Sequence, residues 1–315
     1  MNLSELRYVV ALARERHFGR AAEACFVSQP TLSVAVRKLE DELGVQLFER
    51  AAHDIRVTAA GKRVIERAQR VLEAVESVRD AAREGRDQLT SPLRIGAIYT
   101  VGPYLFPDLI PNLNASAPAM PLIVEENFTA VLVEKLKQGE LDVIIISHPF
   151  KESGILTLTL YEEPFVVLLP AAHPLTARKS IRARDLEAEA VLMLGAGHCF
   201  RDQVLEFCPT CIPKASSNTD LAYRVEGGSL ETIRHMVASG MGITVLPCTA
   251  AGADRYSHRL LEIRRFASPA PKREIALAWR MSFPRPKVID ALGDAIARTG
   301  LSCVKVKHRR RNPDA

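Results

Sequence analysis

The chain is short of aromatic residues and has no extreme of composition. Only 6% of its 315 residues are aromatic, one of them tryptophan, and 25% are charged. No residue type dominates, which excludes a collagenous, low-complexity or disordered chain. Long apolar runs are missing as well. The strongest, 143–146 and 165–169, are strand-sized, far below the roughly 18 residues that a spanning helix needs. Glu5 and Arg7 stand where a secretory signal would need its apolar stretch, so a soluble, non-secreted, cytoplasmic protein is expected, with no membrane partner. Six cysteines are too few for a disulfide scaffold in this length. In a reducing cytosol they default to small buried apolar groups or reactive thiols.

The length predicts two or three compact units, and the 47% apolar content is enough to fill their cores. Net charge is +5, and the last fifteen residues carry Lys305, Lys307, Arg309, Arg310 and Arg311 against Asp314. Such an end could touch nucleic acid, but it reads first as a solvated, frayed terminus.

The first ninety residues alternate short amphipathic helices. Leu3, Leu6, Val9, Val10 and Ala13 recur at helical spacing. A second helix is expected at 19–26 and a third at 31–43, with Leu32, Val36, Leu39 and Leu43 on one face. Ser28 is a suitable N-cap, and Pro30 is tolerated in a first turn. Two short helices joined by a tight turn are a helix-turn-helix arrangement, with the second helix suited to a major groove. Gln29, Thr31 and Ser33 suit base edges; Arg37 and Lys38 suit phosphates. The bland alternative is an ordinary helical hairpin. Residues 44–58 read as a small wing with its tip at 51–54, offering Arg50 and Arg56 to the backbone. Thr58 then caps a long helix, 59–88. Val64, Ala68, Val71, Val75, Val78 and Ala82 alternate at spacings of four and three, the seam of a coiled coil and hence a dimer signal. The competing reading is a helix packed on its own domain. Pro92 closes the segment.

From residue 93 strands and helices alternate. Strands are expected at 93–98, 121–126, 142–147, 165–169, 190–194, 242–246 and 274–279. Helices are expected at 101–113, 129–138, 229–239 and 286–299. This is an α/β pattern with mostly parallel sheets, long enough for two subdomains with a cleft between them. Ligands in such sheets sit beyond the carboxyl ends of the strands. Thr100 follows the first strand at such a mouth, and Thr129 opens a helix after the next, though each could be a plain helix cap.

The segment 195–211 holds three of the six cysteines. Cys199 lies between His198 and Arg201, after a strand and glycines, where a helix should begin. Cationic neighbours and a helix N-terminus stabilise a thiolate. A thiolate can attack a peroxide, and a second thiol converts the sulfenic acid to a disulfide. Three readings stand side by side: buried structural cysteines, a redox switch, or a zinc site of His198, Cys199, Cys208 and Cys211. Against zinc, His198 and Cys199 are adjacent, so their side chains diverge in most conformations.

Several motifs together resemble the LysR-type transcriptional regulators. They are Leu6-Arg7-Tyr8, Phe18-Gly19-Arg20-Ala21-Ala22, Ser28-Gln29-Pro30-Thr31-Leu32-Ser33, Leu39-Glu40-Asp41-Glu42-Leu43-Gly44, Phe48-Glu49-Arg50 and Val57-Thr58-Ala59-Ala60-Gly61. Within that family, Thr100-Val101-Gly102-Pro103-Tyr104-Leu105 and Gly197-His198-Cys199-Phe200-Arg201-Asp202-Gln203 with Cys208 are similar to its hydrogen peroxide sensors. Ser229-Leu230-Glu231-Thr232 and Gly242-Ile243-Thr244 with Leu246-Pro247 agree.

The resemblance implies an α/β fold with an N-terminal winged helix-turn-helix, a coiled-coil linker helix and a two-lobed, periplasmic-binding-protein-like effector domain. The expected boundaries are 1–60, 61–91 and 92–301, with a basic tail at 302–315. It implies a DNA-binding regulator of oxidative-stress genes rather than an enzyme, without metal or cofactor. Promoter DNA, hydrogen peroxide, a cellular thiol reductant and RNA polymerase are the implied partners. Homodimers through the linker helix would assemble to homotetramers. Cys199 would be the peroxide-reacting thiol and Cys208 the resolving one. Thr100, Thr129 and His198 would hold the peroxide, Arg201 would stabilise the thiolate or leaving oxygen, and Asp202 belongs to the same group. A Cys199–Cys208 bond cannot leave a regular helix between them. Nine helical residues span about 13 Å, whereas a disulfide needs Cα atoms within about 7 Å. One bond would therefore toggle a local fold. Two other readings are a LysR-type regulator with an organic effector in the cleft and a cysteine peroxidase. The chain departs from the pattern at Cys211, an extra thiol near Cys208. It also departs at the wing tip, which lacks an arginine, and at Val34 in place of a polar or small residue.

Overall fold

The computed structural model describes residues 1–51, 54–81, 88–211, 226–251 and 260–307. The chain divides into two compact units, Met1–Arg86 and Asp87–Ala315.

In the first unit, α1 (Leu3–Glu15), α2 (Phe18–Ala24) and α3 (Gln29–Leu43) precede a two-stranded wing, β1 (Phe48–Ala51) and β2 (Asp54–Val57), and the long α4 (Ala59–Ala81). Asn2 and Glu5 form a reciprocal capping box at the start of α1. The turn between α2 and α3 is tight: Cys25 closes α2, and Phe26 takes a left-handed φ of 56° while standing exposed. The third helix begins two residues earlier than the sequence suggested. Pro30 sits inside the first turn, where its missing N–H leaves no bond unmade. Leu32, Val36 and Leu39 are buried with Leu6, Val9 and Leu12 in one core.

Thr58 ties wing to helix. Its hydroxyl donates to the Gln46 carbonyl at 2.8 Å and accepts from the Gly61 amide at 2.8 Å. A Cβ on Gly61 would lie 2.2 Å from the Leu47 carbonyl oxygen, so only glycine allows this approach. The coiled-coil seam is divided. Ile65 and Ala68 are buried in the domain's own core and Val64 and Leu72 pack against it, as the competing reading held. Val71 and Val78 are exposed. Ala82 lies outside the described residues, and Gln88, expected in the helix, is in a turn.

The second unit has two cores. The first is built on β3 (Leu93–Ile98), β4 (Leu122–Asn127) and β5 (Val143–Ser147), which run parallel, covered by α5 (Gly102–Ser116) and α6 (Thr129–Lys137). A 16-residue strand, β6 (Ile155–Pro170), then runs from one core to the other. The second core gathers β7 (Val191–Leu194), α7 (Cys199–Phe207), β8 (Glu226–Gly227), α8 (Leu230–Ala238), β9 (Ile243–Pro247), α9 (Cys248–Ala251) and β10 (Leu261–Arg265). The chain returns to the first core with β11 (Lys272–Arg280) and α10 (Pro286–Ala297), and ends its described part with β12 (Lys305–Val306). Strand order is β4-β3-β5-β11-β6-β9-β7-β8, with β10 and β12 also on β6.

Two expectations change. The sheets are mixed: β11 runs antiparallel to β5 and β6, and β9 and β10 antiparallel to β6. The chain end is not loose as far as Lys307. Val306 pairs with Tyr161, Lys307 forms ion pairs with Glu162 and Glu274, and Cys303 is bonded to Cys248. Arg309, Arg310, Arg311 and Asp314 lie outside the described residues. Among the described residues no helix is long and apolar enough to cross a membrane.

Candidate redox-active thiol site

Cys199 is the first residue of α7, next to the extended N-cap His198. Gly197 makes this entry possible with a φ of +96°, lying against the Phe128 ring. The next two residues face different cores. Phe200 is buried in the second core, edge-on to Phe165 at 5.0 Å, while the half-buried Cys199 packs against the first. Cys199 is a free thiol. The N–H groups at a helix N-terminus and the helix dipole favour negative charge there.

A small pocket opens at this thiol, lined by Tyr99, Thr100, Asn127, Phe128, Thr129, His198 and Cys199 among others. It measures about 10 Å³, close to the roughly 10–15 Å³ that one water molecule needs. The strand ends and the start of α6 thus bring together Thr100, Thr129, His198 and Cys199, four residues predicted from sequence. The Thr129 hydroxyl oxygen is buried with no partner among the described residues, and such a group can be satisfied by a molecule that enters beside it. His198 is packed against Phe128 at 4.8 Å and Tyr99 at 5.9 Å between ring centres. Burial holds its pKa below the usual histidine range, opposed by a hydrogen bond with the Gly228 backbone. Burial thus disfavours a cation at His198 beside Cys199.

Arg201 is not among the residues lining this pocket. It donates to the Leu194 carbonyl at 3.0 Å, fastening α7 to β7. Asp202 is exposed in the first turn of α7, where a negative charge suits the helix dipole.

The cationic group near the pocket is one that sequence reasoning missed. Arg273 donates to Glu163 at 2.7 Å, with both side chains fully buried. The same guanidinium donates to the Thr100 hydroxyl at 2.8 Å and the Thr100 carbonyl at 2.9 Å. It also lies 5.2 Å from the centre of the Phe200 ring. Glu163 accepts in addition from the Thr249 amide at 3.1 Å and from its hydroxyl. One ion pair thus links Thr100 in the pocket, Phe200 beside the thiol, and α9. Glu163 and Arg273 face each other in the β6–β11 register, a pairing that no local pattern reveals.

The far end of α7 is different. Cys208 is its C-cap, buried in the second core, and is bonded to Cys211 with Cα atoms 5.5 Å apart. The joined sulfurs of Cys208 and Cys211 are not available to the zinc arrangement. Between the two ends, Gln203 reaches from α7 to the first core, donating to the Ser147 hydroxyl at 2.8 Å and the His148 carbonyl at 3.0 Å. Tyr104 of α5 donates to Glu231 of α8 at 2.8 Å, a second bridge.

In the first unit, Gln29, Pro30 and Thr31 are exposed at the start of α3 with Val34 and Arg37, and Ser33 is half-buried. Ser28 accepts from the Thr31 amide and pairs with its hydroxyl at 2.8 Å. Lys38, expected at phosphates, donates to the buried Glu5 at 3.0 Å and joins α3 to α1. Arg56 is exposed on the wing. The side chain of Arg50 and most of the wing tip lie outside the described residues.

These two units match two known domains. Residues 3–62 match the bacterial regulatory helix-turn-helix of the lysR family, and residues 86–300 match the LysR substrate binding domain. The chain belongs to the LysR family of bacterial regulators. Within it, the chain is 40% identical to a hydrogen peroxide-inducible genes activator of Dickeya chrysanthemi, covering 94% of this chain and 95% of that one. It is also similar to the structure of a full-length OxyR C199D from Pseudomonas aeruginosa, with 52% identity, a TM-score of 0.83 and coverage of 98% and 99%. A mutant OxyR of Corynebacterium glutamicum, described as H2O2-bound, shares 31% identity at a TM-score of 0.63, over 96% of this chain and 93% of that one.

Proposed function

We propose that this protein is a peroxide-responsive transcriptional regulator in which oxidation of Cys199 alters how α3 and its flanking wing engage promoter DNA. The observation that carries the reading is the free Cys199 opening α7 into a water-sized pocket with the unpartnered Thr129 hydroxyl. Organic ligands occupy pockets of roughly 300–1,000 Å³, so size favours a two-oxygen oxidant over an organic effector.

In this reading, peroxide enters between Thr100, Thr129 and His198. The Cys199 thiolate attacks one oxygen. The O–O bond breaks, and the departing hydroxide takes up a proton to leave as water. Neutral His198 and the Thr129 hydroxyl can each hold a proton toward that oxygen. The sulfenic acid is then attacked by the Cys208 thiolate, which forms the Cys199–Cys208 bond and releases a second water. That bond is incompatible with an intact α7. Losing the helix withdraws Gln203 from Ser147 and His148, and so loosens a bridge between the two cores. Arg201 serves to hold the start of α7 on β7, and Asp202 acts as a favourable first-turn charge.

The relatives' names, a hydrogen peroxide-inducible genes activator and a DNA-binding transcriptional dual regulator, support DNA binding and control of peroxide-induced genes; a cytoplasmic location, contact with RNA polymerase and reset by a cellular thiol reductant are further parts of the proposal. Exposed Val71 and Val78 on α4 suit a homodimer seam, from which tetramers would be built. Gln29, Pro30, Thr31 and Ser33 would face bases, while Ser28, Arg37, Arg50 and Arg56 would support the backbone contacts. Lys38 is left for its ion pair with Glu5.

The test is to expose the fully reduced protein to a slight excess of hydrogen peroxide, trap thiols, map them by mass spectrometry, and footprint a promoter in parallel. Cys199 is expected to react first, and Cys199→Ser to abolish both the chemistry and the footprint change. All six thiols still free after micromolar peroxide, or a Cys199→Ser variant that responds like wild type, would overturn the proposal.

A further inference from the structure

Cys208 has a second sulfur within reach, and in this structure it is joined to that one rather than to Cys199. We propose that Cys211 ends the peroxide signal: the bond first formed between Cys199 and Cys208 passes on to Cys208 and Cys211, which frees Cys199 and lets α7 re-form. This rests on the peroxide reading above, and it gives the Cys208-Pro209-Thr210-Cys211 segment an exchange chemistry of its own.

The two pairings differ in what they require of the helix. With α7 whole, Cys199 and Cys208 are about 13 Å apart along it, beyond the roughly 7 Å that a disulfide allows. Cys208 and Cys211 are bonded at 5.5 Å with α7 intact. Cys211 is three residues from Cys208, so it stays within roughly 10 Å whatever α7 does. A thiol tethered so closely acts at a high effective concentration.

The exchange balances without a further oxidant. The Cys211 thiolate attacks the Cys208 sulfur, a new S–S bond forms, and the Cys199–Cys208 bond breaks. Cys199 leaves as a thiolate at the start of the re-forming helix, where negative charge is favoured. The number of disulfides is unchanged. What is regained is non-covalent: Gln203 on Ser147 and His148, Phe200 on Phe165, and Arg201 on the Leu194 carbonyl. Starting from three thiols, one peroxide yields two waters and the Cys208–Cys211 bond, with Cys199 returned. That end point has the sulfur connectivity seen here. Cys208 and Cys211 are then 1% and 4% exposed, so a reductant meets a shielded bond. Cys199 meanwhile can react again with no resolving thiol available, so a second peroxide leaves a sulfenic acid that a third can carry to sulfinic acid.

The experiment is a time course. Reduced full-length protein receives one equivalent of hydrogen peroxide. Aliquots are quenched in acid, thiols are blocked, and the Cys199–Cys208 and Cys208–Cys211 products are quantified by mass spectrometry. In wild type, the Cys199–Cys208 product should rise and then fall by about 10-fold or more as the Cys208–Cys211 product replaces it. In Cys211→Ser it should form and persist, and in Cys199→Ser neither should appear on this timescale. The relay is overturned if Cys199–Cys208 lasts as long in wild type as in Cys211→Ser, or if Cys208–Cys211 grows at the wild-type rate in Cys199→Ser. A folded Cys211→Ser protein whose Cys199 stays reduced would instead bring down the peroxide reading, and the relay with it. The wild-type course alone decides the matter if a variant fails to fold.

Discussion

The two ends of α7 carry sulfur in opposite circumstances. At the start, Cys199 is free, half-buried and open to a pocket of small polar groups. At the finish, Cys208 is sealed in an apolar core and already bonded. Burial explains the contrast. Apolar surroundings disfavour a thiolate, as they do at Cys25, where burial pushes the thiol up. A helix N-terminus does the reverse. One nine-residue helix thus separates a thiol placed to react from a thiol placed to wait, and they can meet only when it is lost.

The largest effect should come from removing the reacting end. Cys199→Ser is expected to abolish peroxide-induced change in promoter binding altogether, measured by footprinting. Cys208→Ser should retain Cys199 oxidation but lose the lasting disulfide. Equal losses of Cys199 chemistry in both variants would erase the distinction drawn between the two ends.

Next comes the support beneath the pocket. Arg273→Met leaves Glu163 charged in a dry site. Breaking a buried pair from one side destabilises by about 3–5 kcal/mol, readable as a lower denaturant midpoint. The double variant Arg273→Met, Glu163→Gln should recover part of that loss. A single variant as stable as wild type would show that the pair is not what holds Thr100.

Smaller changes separate binding from stability. Thr129→Val removes an unpartnered hydroxyl, so folding stability should hold or rise slightly. Oxidation of Cys199 by peroxide should slow by about 10-fold, the scale of one lost hydrogen bond to a reacting molecule. An unchanged rate would leave Thr129 as a helix-start residue only. Gln203→Ala removes two hydrogen bonds worth about 1 kcal/mol each. It should speed Cys199–Cys208 formation several-fold by easing the loss of α7, and a slower rate would refute the bridge.

Local signals were legible in the sequence and long-range pairings were not. Ser28, Thr58 and Ser229 act on neighbours three residues away, and the starts of the helices that follow them were recognised to within two residues. Alternation placed Thr100 at a strand end and Thr129 at the start of the helix after the next strand, whereas their grouping with His198 around the thiol followed only from the family resemblance. By contrast, Ile155–Pro164 of β6 was passed over. Its Leu and Thr residues alternate as a strand should, but Glu162-Glu163-Pro164 reads as a polar break. Glu163 is tolerated there only because Arg273, 110 residues away, faces it. The Cys248–Cys303 bond spans 55 residues and the Lys305–Val306 pairing lies across the sheet. Both depend on topology, and the basic end therefore looked loose. Val71 and Val78 kept the seam exposed, while Ala68 gave it to the domain core, a division that heptad spacing alone cannot make.

The smallest expected effect concerns acid. His198 is held neutral by burial, and its folded-state pKa lies below the unfolded value of about 6.5. An unfolded chain therefore binds more protons here as pH falls. The contribution of His198 to stability is full above the unfolded value and is lost as pH drops through the folded one. Melting the reduced protein at pH 7.5 and pH 5.5 should show a steeper decline for wild type than for His198→Gln, which has no proton to gain. The same acidification would place a charge between the Phe128 and Tyr99 rings and against the thiol. Cys199 oxidation should then respond to pH differently in the two proteins. Parallel melting curves with parallel oxidation rates would mean that folding does not shift the pKa of His198, and that His198 does not set the two ends of α7 apart.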